Sequence, residues 1–157
     1  MLVPIIMGSE SDKEFAGKIT SKLDEWGIPY KLHVASAHKV PLQCYDIIKE
    51  QEKSNPVFIT IAGLSNALSG FSDAQTHCPV IACPPLGDSF GGGDVYSSLR
   101  MPSGVAPMVI LNPENAALAT AKILAVSNGK IREKVKEFQE AQRQKLIADN
   151  EPLVGVP

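Results

Sequence analysis

Five apolar runs of strand length, separated by segments of helical period, constrain this chain more than any other feature. The runs are Leu2–Met7, Tyr30–Ala35, Val57–Ala62, Val80–Cys83 and Val105–Leu111. Leu2–Met7 does not alternate apolar with polar residues, so it reads as a strand buried on both faces, and Val57–Ala62 is the clearest core strand. Strands of that kind need helices on either side of the sheet. The pattern therefore predicts a three-layer α/β/α sandwich around a parallel sheet.

The helical segments carry their own start and stop signals. Ser9 and Asp12 have the spacing of an N-terminal cap, and Phe15, Ile19, Leu23 and Trp26 then fall on one face until Gly27-Ile-Pro29 ends the helix. Pro41 suits the first turn of a second helix, whose apolar face is expected at Leu42, Tyr45 and Ile48. A short helix is expected over Ala67–Gln75, and one or two helical turns over Val95–Leu99 after the glycine-rich Leu86–Gly93 loop. Asn112-Pro-Glu114 is a cap followed by proline, with Ala117, Ala121 and Leu124 inward and Gly129 as the breaker. A C-terminal helix over Lys130–Ala148 places Ile131, Val135, Phe138 and Leu146 on one stripe, and residues 150–157 form a tail without periodicity. The whole describes a flavodoxin-like, five-stranded sheet with a C-terminal helix.

At 157 residues the chain fits one domain, 1–157, large enough for a core without disulfides. Its net charge of −2, with mixed signs, gives no basic footprint for a nucleic-acid backbone or an anionic membrane. Any bound phosphate must be held by a few aimed donors. The N-terminal Met1–Met7 lacks a basic leader and no apolar stretch is long enough to span a bilayer, so a cytoplasmic location is expected. Cys44, Cys78 and Cys83 are odd in number and at no metal spacing, and read as reduced, buried hydrophobes.

In such sheets ligands bind beyond the carboxyl ends of the strands, where strand order reverses, and the polar clusters fall there. Gly8, Ser9, Ser11 and Asp12 join a strand to a helix N-terminus, a setting that favours a phosphate; ordinary capping is the alternative. Ser36-Ala37-His38-Lys39 adds a positive charge beside the same place and a side chain that exchanges protons near neutral pH. Gly63, Ser65 and Asn66 supply a close-approach glycine and two neutral hydrogen-bonding side chains. Ser97-Ser98 and Arg100–Gly104 suggest a lid or a subunit contact, with Arg100 equally readable as a solvated surface charge, while His33 and His77 read as structural. With no metal-ligand spacing and no nucleophile elbow, the expected chemistry is proton transfer and positioning without a metal or cofactor.

These motifs, together with Cys83-Pro-Pro85 and the run from Asp94 to Gly104, resemble the PurE family of aminoimidazole ribonucleotide (AIR) carboxylases and mutases over about residues 2–148. The resemblance implies a role in purine biosynthesis and distinguishes two classes. Class I, which moves a carboxylate from N5-carboxyaminoimidazole ribonucleotide to carbon 4, usually has a second histidine where this chain has Ala67. Ser65-Asn66, Lys39 and the Tyr96–Ser103 run resemble class II, which uses carbon dioxide directly, although class II members often carry arginine at Leu64. By resemblance, Gly8, Ser9, Ser11 and Lys39 hold the nucleotide phosphate, with Ser36 and Ala37 beside them and Asp12 on the ribose. Gly63, Ser65 and Asn66 hold carbon dioxide, and His38 takes the carbon 4 proton. It also implies a homo-oligomer, commonly an octamer, with a tetramer as the alternative. Outside this class, a non-catalytic nucleotide-binding module would bind ligand without turnover and leave His38 unexplained.

Overall fold

The computed structural model describes residues 2–87 and 89–150. The expected tail beyond Asn150 lies outside the described residues. Five parallel strands, β1 (Val3–Met7), β2 (Tyr30–Val34), β3 (Phe58–Ile61), β4 (Val80–Ala82) and β5 (Met108–Val109), lie in the order β2-β1-β3-β4-β5. Between them run α1 (Lys13–Glu25), α2 (Pro41–Glu52), α3 (Ala67–Gln75) and the short α4 (Tyr96–Leu99), and then α5 (Pro113–Ala125) and α6 (Gly129–Asp149) close the chain. This is the expected α/β sandwich with a flavodoxin-like strand order.

The pleat divides the core in two. Ile5 of β1 stands beside Ile59 of β3, and Ile59 beside Ile81 of β4, in a row covered by α1, α5 and α6. Ile6, Phe58 and Val80 point the other way, onto Cys44 and Ile48 of α2 and Leu68 of α3. Ile19 and Leu23 of α1 are fully buried, a burial that contributes about 1.5–3 kcal/mol for each such side chain. Pro4 lacks a backbone donor, yet β1 is an interior strand. The conflict is avoided because pairing with β3 begins one residue later, at Ile5.

Local signals mostly act as their chemistry requires. Gly27, at φ +64°, lets α1 end in a Schellman turn, with Ile28 N–H donating to Leu23 C=O at 2.9 Å. Asn112 caps α5 by accepting from Asn115 N–H at 2.9 Å. Four expectations need correction. On α2 the inward residues are Cys44 and Ile48, while Leu42 is 78% exposed and Tyr45 faces outward with it. The helix presents its i, i+4 pair to the sheet, and the more hydrophobic Leu42 lies off that line. Gly129 is the first residue of α6, capped by Asn128 through Lys130 and Ile131 N–H, and the break falls at Val126–Asn128. Leu146 is exposed, since every residue from Ala141 to Asn150 lies on the surface of a helix longer than the body it crosses. β5 keeps two residues of the expected seven. Among the described residues no helix is long and apolar enough to cross a membrane.

Candidate active site

β1 has β2 on one side and β3 on the other, so the chain reverses its direction of travel across the sheet at this point. The loops leaving the three strands splay apart there and enclose a cleft of about 480 Å³, within the range of small-molecule sites.

The first wall is Gly8, Ser9, Ser11 and Asp12. Gly8 N–H donates to Ile61 C=O at 2.8 Å, and a Cβ on Gly8 would meet the Cβ of Ala62 at 3.3 Å. Beyond it, Ser9 N–H donates to Asp12 Oδ2 at 3.0 Å, while Ser9 Oγ accepts from Ser11 N–H at 3.3 Å and Ser11 O–H at 2.9 Å. These bonds form a 3₁₀ turn, Glu10–Asp12, that leads into α1 and turns the positive helix end toward the cleft. Burial pushes the Asp12 carboxyl above its usual range, against the lowering effect of the Ser9 and Gly8 amides.

The second wall, Ser36 to Lys39, is tied to β1 by Ala35 N–H donating to Met7 C=O at 2.9 Å. Ser36 Oγ accepts from Lys39 N–H at 3.3 Å and Ser36 C=O accepts from Val40 N–H at 2.9 Å, closing a turn that exposes His38 and Lys39 to the cleft. The His38 ring has no hydrogen-bond partner among the described residues. It is therefore free to meet a ligand.

Gly63, Leu64 and Ser65 form the third wall, over Ala62 and Leu68. Leu64 is in the left-handed region, φ +56°, and 61% exposed. Asn66, expected in the cleft, is not part of its lining and is 4% exposed. Its Oδ1 accepts from Ser69 N–H at 3.1 Å, and its Nδ2 donates to Ser69 Oγ at 2.8 Å and Ser98 Oγ at 2.9 Å. The side chain is spent on capping α3 and bracing it to α4, so only its backbone borders the loop.

Ser97 and Ser98, expected in a lid or a subunit contact, stand behind the third wall within this chain. Ser97 Oγ accepts from Asn66 N–H at 3.0 Å, and Asp94 Oδ2 accepts from Leu64 N–H at 3.2 Å. These partners are about thirty residues apart in the chain, and no local pattern signals them. The Arg100–Gly104 segment lies on α3, where Met101 Sδ would be 2.9 Å from a Cβ at Gly70.

The other reactive side chains lie elsewhere. His33 sits in β2, and burial with the nearby Lys31 charge holds its pKa down. His77 bonds Asn55 Oδ1 at 3.0 Å, and its Nε2 lies 3.7 Å from Cys78 Sγ. The cysteines are free and buried, and burial pushes the Cys44 thiol up to about 11 and Cys83 up to about 12. Among the described residues no three His, Cys, Asp or Glu side chains converge as a metal site.

The turn at the start of α1 thus faces His38 and Lys39 across one cleft, and comparison with known proteins supplies the family. The family described as AIR carboxylase matches residues 2–145. This chain belongs to the AIR carboxylase family. Its relatives include the phosphoribosylaminoimidazole carboxylase of Archaeoglobus fulgidus, 56% identical over 153 residues, covering 98% of this chain and 85% of the relative. That of Treponema denticola is 47% identical over 154 residues, with 97% of each chain covered. The crystal structure of Treponema denticola PurE superposes with a TM-score of 0.94 over 98% of this chain and 99% of that one, at 47% identity. The human bifunctional phosphoribosylaminoimidazole carboxylase/phosphoribosylaminoimidazole succinocarboxamide synthetase is 42% identical over 128 residues, which span 30% of its length. For an AIR carboxylase family member, the cleft at the strand-order reversal is the candidate active site.

Proposed function

We propose that this protein is a class II AIR carboxylase, which joins carbon dioxide to carbon 4 of aminoimidazole ribonucleotide and needs no cofactor. The observation that carries the reading is the composition of the cleft. His38 and Lys39 face the Gly8–Asp12 turn, and His38 is the one histidine that lines it among the described residues. Ala67, at the start of α3, leaves no second imidazole to handle a carboxylate delivered on the substrate.

The phosphate sits against Gly8, Ser9 and Ser11 at the positive end of the helix start, with Lys39 as counter-charge. Asp12 keeps Oδ2 on Ser9 N–H and offers its other oxygen to a ribose hydroxyl. Ser36 and Ala37 shape the wall beside it, and Gly63 and Ser65 hold carbon dioxide over the imidazole. The electron pair of the enamine-like carbon 4 forms the new C–C bond, while one C=O π pair of carbon dioxide moves onto oxygen to make the carboxylate. Carbon 4 is then tetrahedral, and its proton passes to the His38 ring, returning the C–H pair to the aromatic system. General base help of this kind contributes about 10²–10⁴-fold, and positioning much of the rest.

The test compares purified protein given aminoimidazole ribonucleotide and bicarbonate with protein given the N5-carboxylated isomer. Turnover of the first pair is expected; efficient use of the isomer alone would make the enzyme a class I mutase. A homo-oligomer belongs to the same reading, supported by exposed Leu42 and by Leu146 and Ile147 on the unpacked half of α6, and light scattering tests it.

A further inference from the structure

We propose that Asp94 is a positioning residue for carboxylation, acting through the backbone of the Gly63–Asn66 loop without touching substrate; this rests on the reading that the loop holds carbon dioxide. Leu64 is the exposed crest of that loop and adopts a left-handed backbone, which a branched side chain does not favour by itself. Two residues of the segment before and within α4 hold it there. Asp94 Oδ2 takes the Leu64 N–H at 3.2 Å, and Ser97 Oγ lies 3.1 Å from the Leu64 carbonyl oxygen. Ser97 also accepts from Asn66 N–H at 3.0 Å and lies 2.8 Å from the Asp94 carbonyl oxygen, so the two braces are themselves linked. Asp94 thus grips the Leu64 N–H, while the single Ser97 hydroxyl proton is shared between the Leu64 and Asp94 carbonyl oxygens, from across the hollow behind the cleft that Leu64, Phe90, Gly93 and Asp94 line.

The other oxygen, Asp94 Oδ1, is buried without a hydrogen-bond partner among the described residues. Burying a carboxylate oxygen unpaired is unfavourable, and tethering Leu64 explains why the group stands there. A carboxylate suits the task because a charged acceptor makes a stronger bond to a backbone N–H than a neutral one. When the tether is lost, Leu64 relaxes toward ordinary φ and carries Ser65 and Gly63 with it, on the carbon dioxide side of the cleft. The phosphate wall, built on β1 and α1, stays where it is.

The experiment measures kcat/KM for carbon dioxide, nucleotide affinity by calorimetry, and amide hydrogen exchange in wild type, Asp94→Ala, Asp94→Asn and Ser97→Ala. Asp94→Ala is expected to lower kcat/KM for carbon dioxide about 10- to 100-fold while nucleotide Kd stays within about twofold. Asp94→Asn, which keeps an acceptor for Leu64 N–H, recovers most of the loss. Exchange at the Leu64 amide quickens in Asp94→Ala while the β-sheet amides are unchanged. Unaltered carbon dioxide kinetics in Asp94→Ala, or an equal loss in Asp94→Asn, overturns the proposal, as does parallel weakening of nucleotide binding. Should Asp94→Ala fail to fold, Ser97→Ala carries the same readouts. If the wild type does not use carbon dioxide, the functional reading fails by itself, and Leu64 exchange still decides whether the tether exists.

Discussion

Gly8 and Ala62 stand back to back at the floor of the cleft, close enough that a Cβ on Gly8 would lie 3.3 Å from the Cβ of Ala62. The contact joins the loop after β1 to the loop after β3, and Gly8 N–H to Ile61 C=O fixes it at 2.8 Å. Ala62 is attached to a sheet strand and has little room to yield. Gly8→Ala is therefore expected to part the two walls by a few tenths of an ångström and to raise the KM for the nucleotide about tenfold, with a smaller change in kcat. Steady-state kinetics checks this; an unchanged KM would mean the walls adjust freely.

In the proposed function, His38 carries the proton-transfer role. Replacing it with asparagine or alanine leaves the helix start, Lys39 and the ribose contact in place, so nucleotide binding is expected to survive. Turnover should fall by about 10²–10⁴-fold. Calorimetry and steady-state assays on the same samples separate the two, and wild-type-like turnover in either variant removes the role from His38.

Asn66 is a structural residue in this geometry. Asn66→Ala takes the cap from α3 and strands the hydroxyl of buried Ser98, a loss of about 1–3 kcal/mol. Urea unfolding should show a lower midpoint at an unchanged slope. Full stability in the variant would return Asn66 to the list of ligand-binding side chains.

His33 predicts the sign of a pH dependence. Its folded pKa lies below the usual 6.5, first because it is partly buried and second because Lys31 is near, and its Nε2 has no partner among the described residues. The neutral ring is thus favoured by folding. The stability this confers is present above 6.5 and lost as pH falls through the lowered folded value. Relative to His33→Gln, wild type should lose stability as pH falls below 6.5 and through the lowered folded value, with His38 and His77 common to both proteins. Parallel urea midpoints across that range would show that His33 is not the group responsible.

Much of the fold is legible along the chain because its signals are local. Glycine at the end of α1, the Asn112–Pro113 start of α5 and the unalternating β1 each act within a few residues. The α2 face departs from the expectation for the same reason: Leu42 is apolar, but which side of an amphipathic helix meets a sheet depends on where the sheet lies. Similarly, α6 continues its periodicity past the point at which the body beneath it ends, so Leu146 looks inward in sequence and is 70% exposed in space.

The layer architecture, the three polar loops and the histidine and lysine that face the helix start are all written along the chain. Hydrophobic period, caps and turn residues are properties of neighbours in the chain. Packing in three dimensions turns the Asn66 amide away from the cleft and brings Asp94 and Ser97 back about thirty residues to hold Leu64. Such bonds depend on how separate elements come to lie beside one another, and no spacing along the chain encodes that distance.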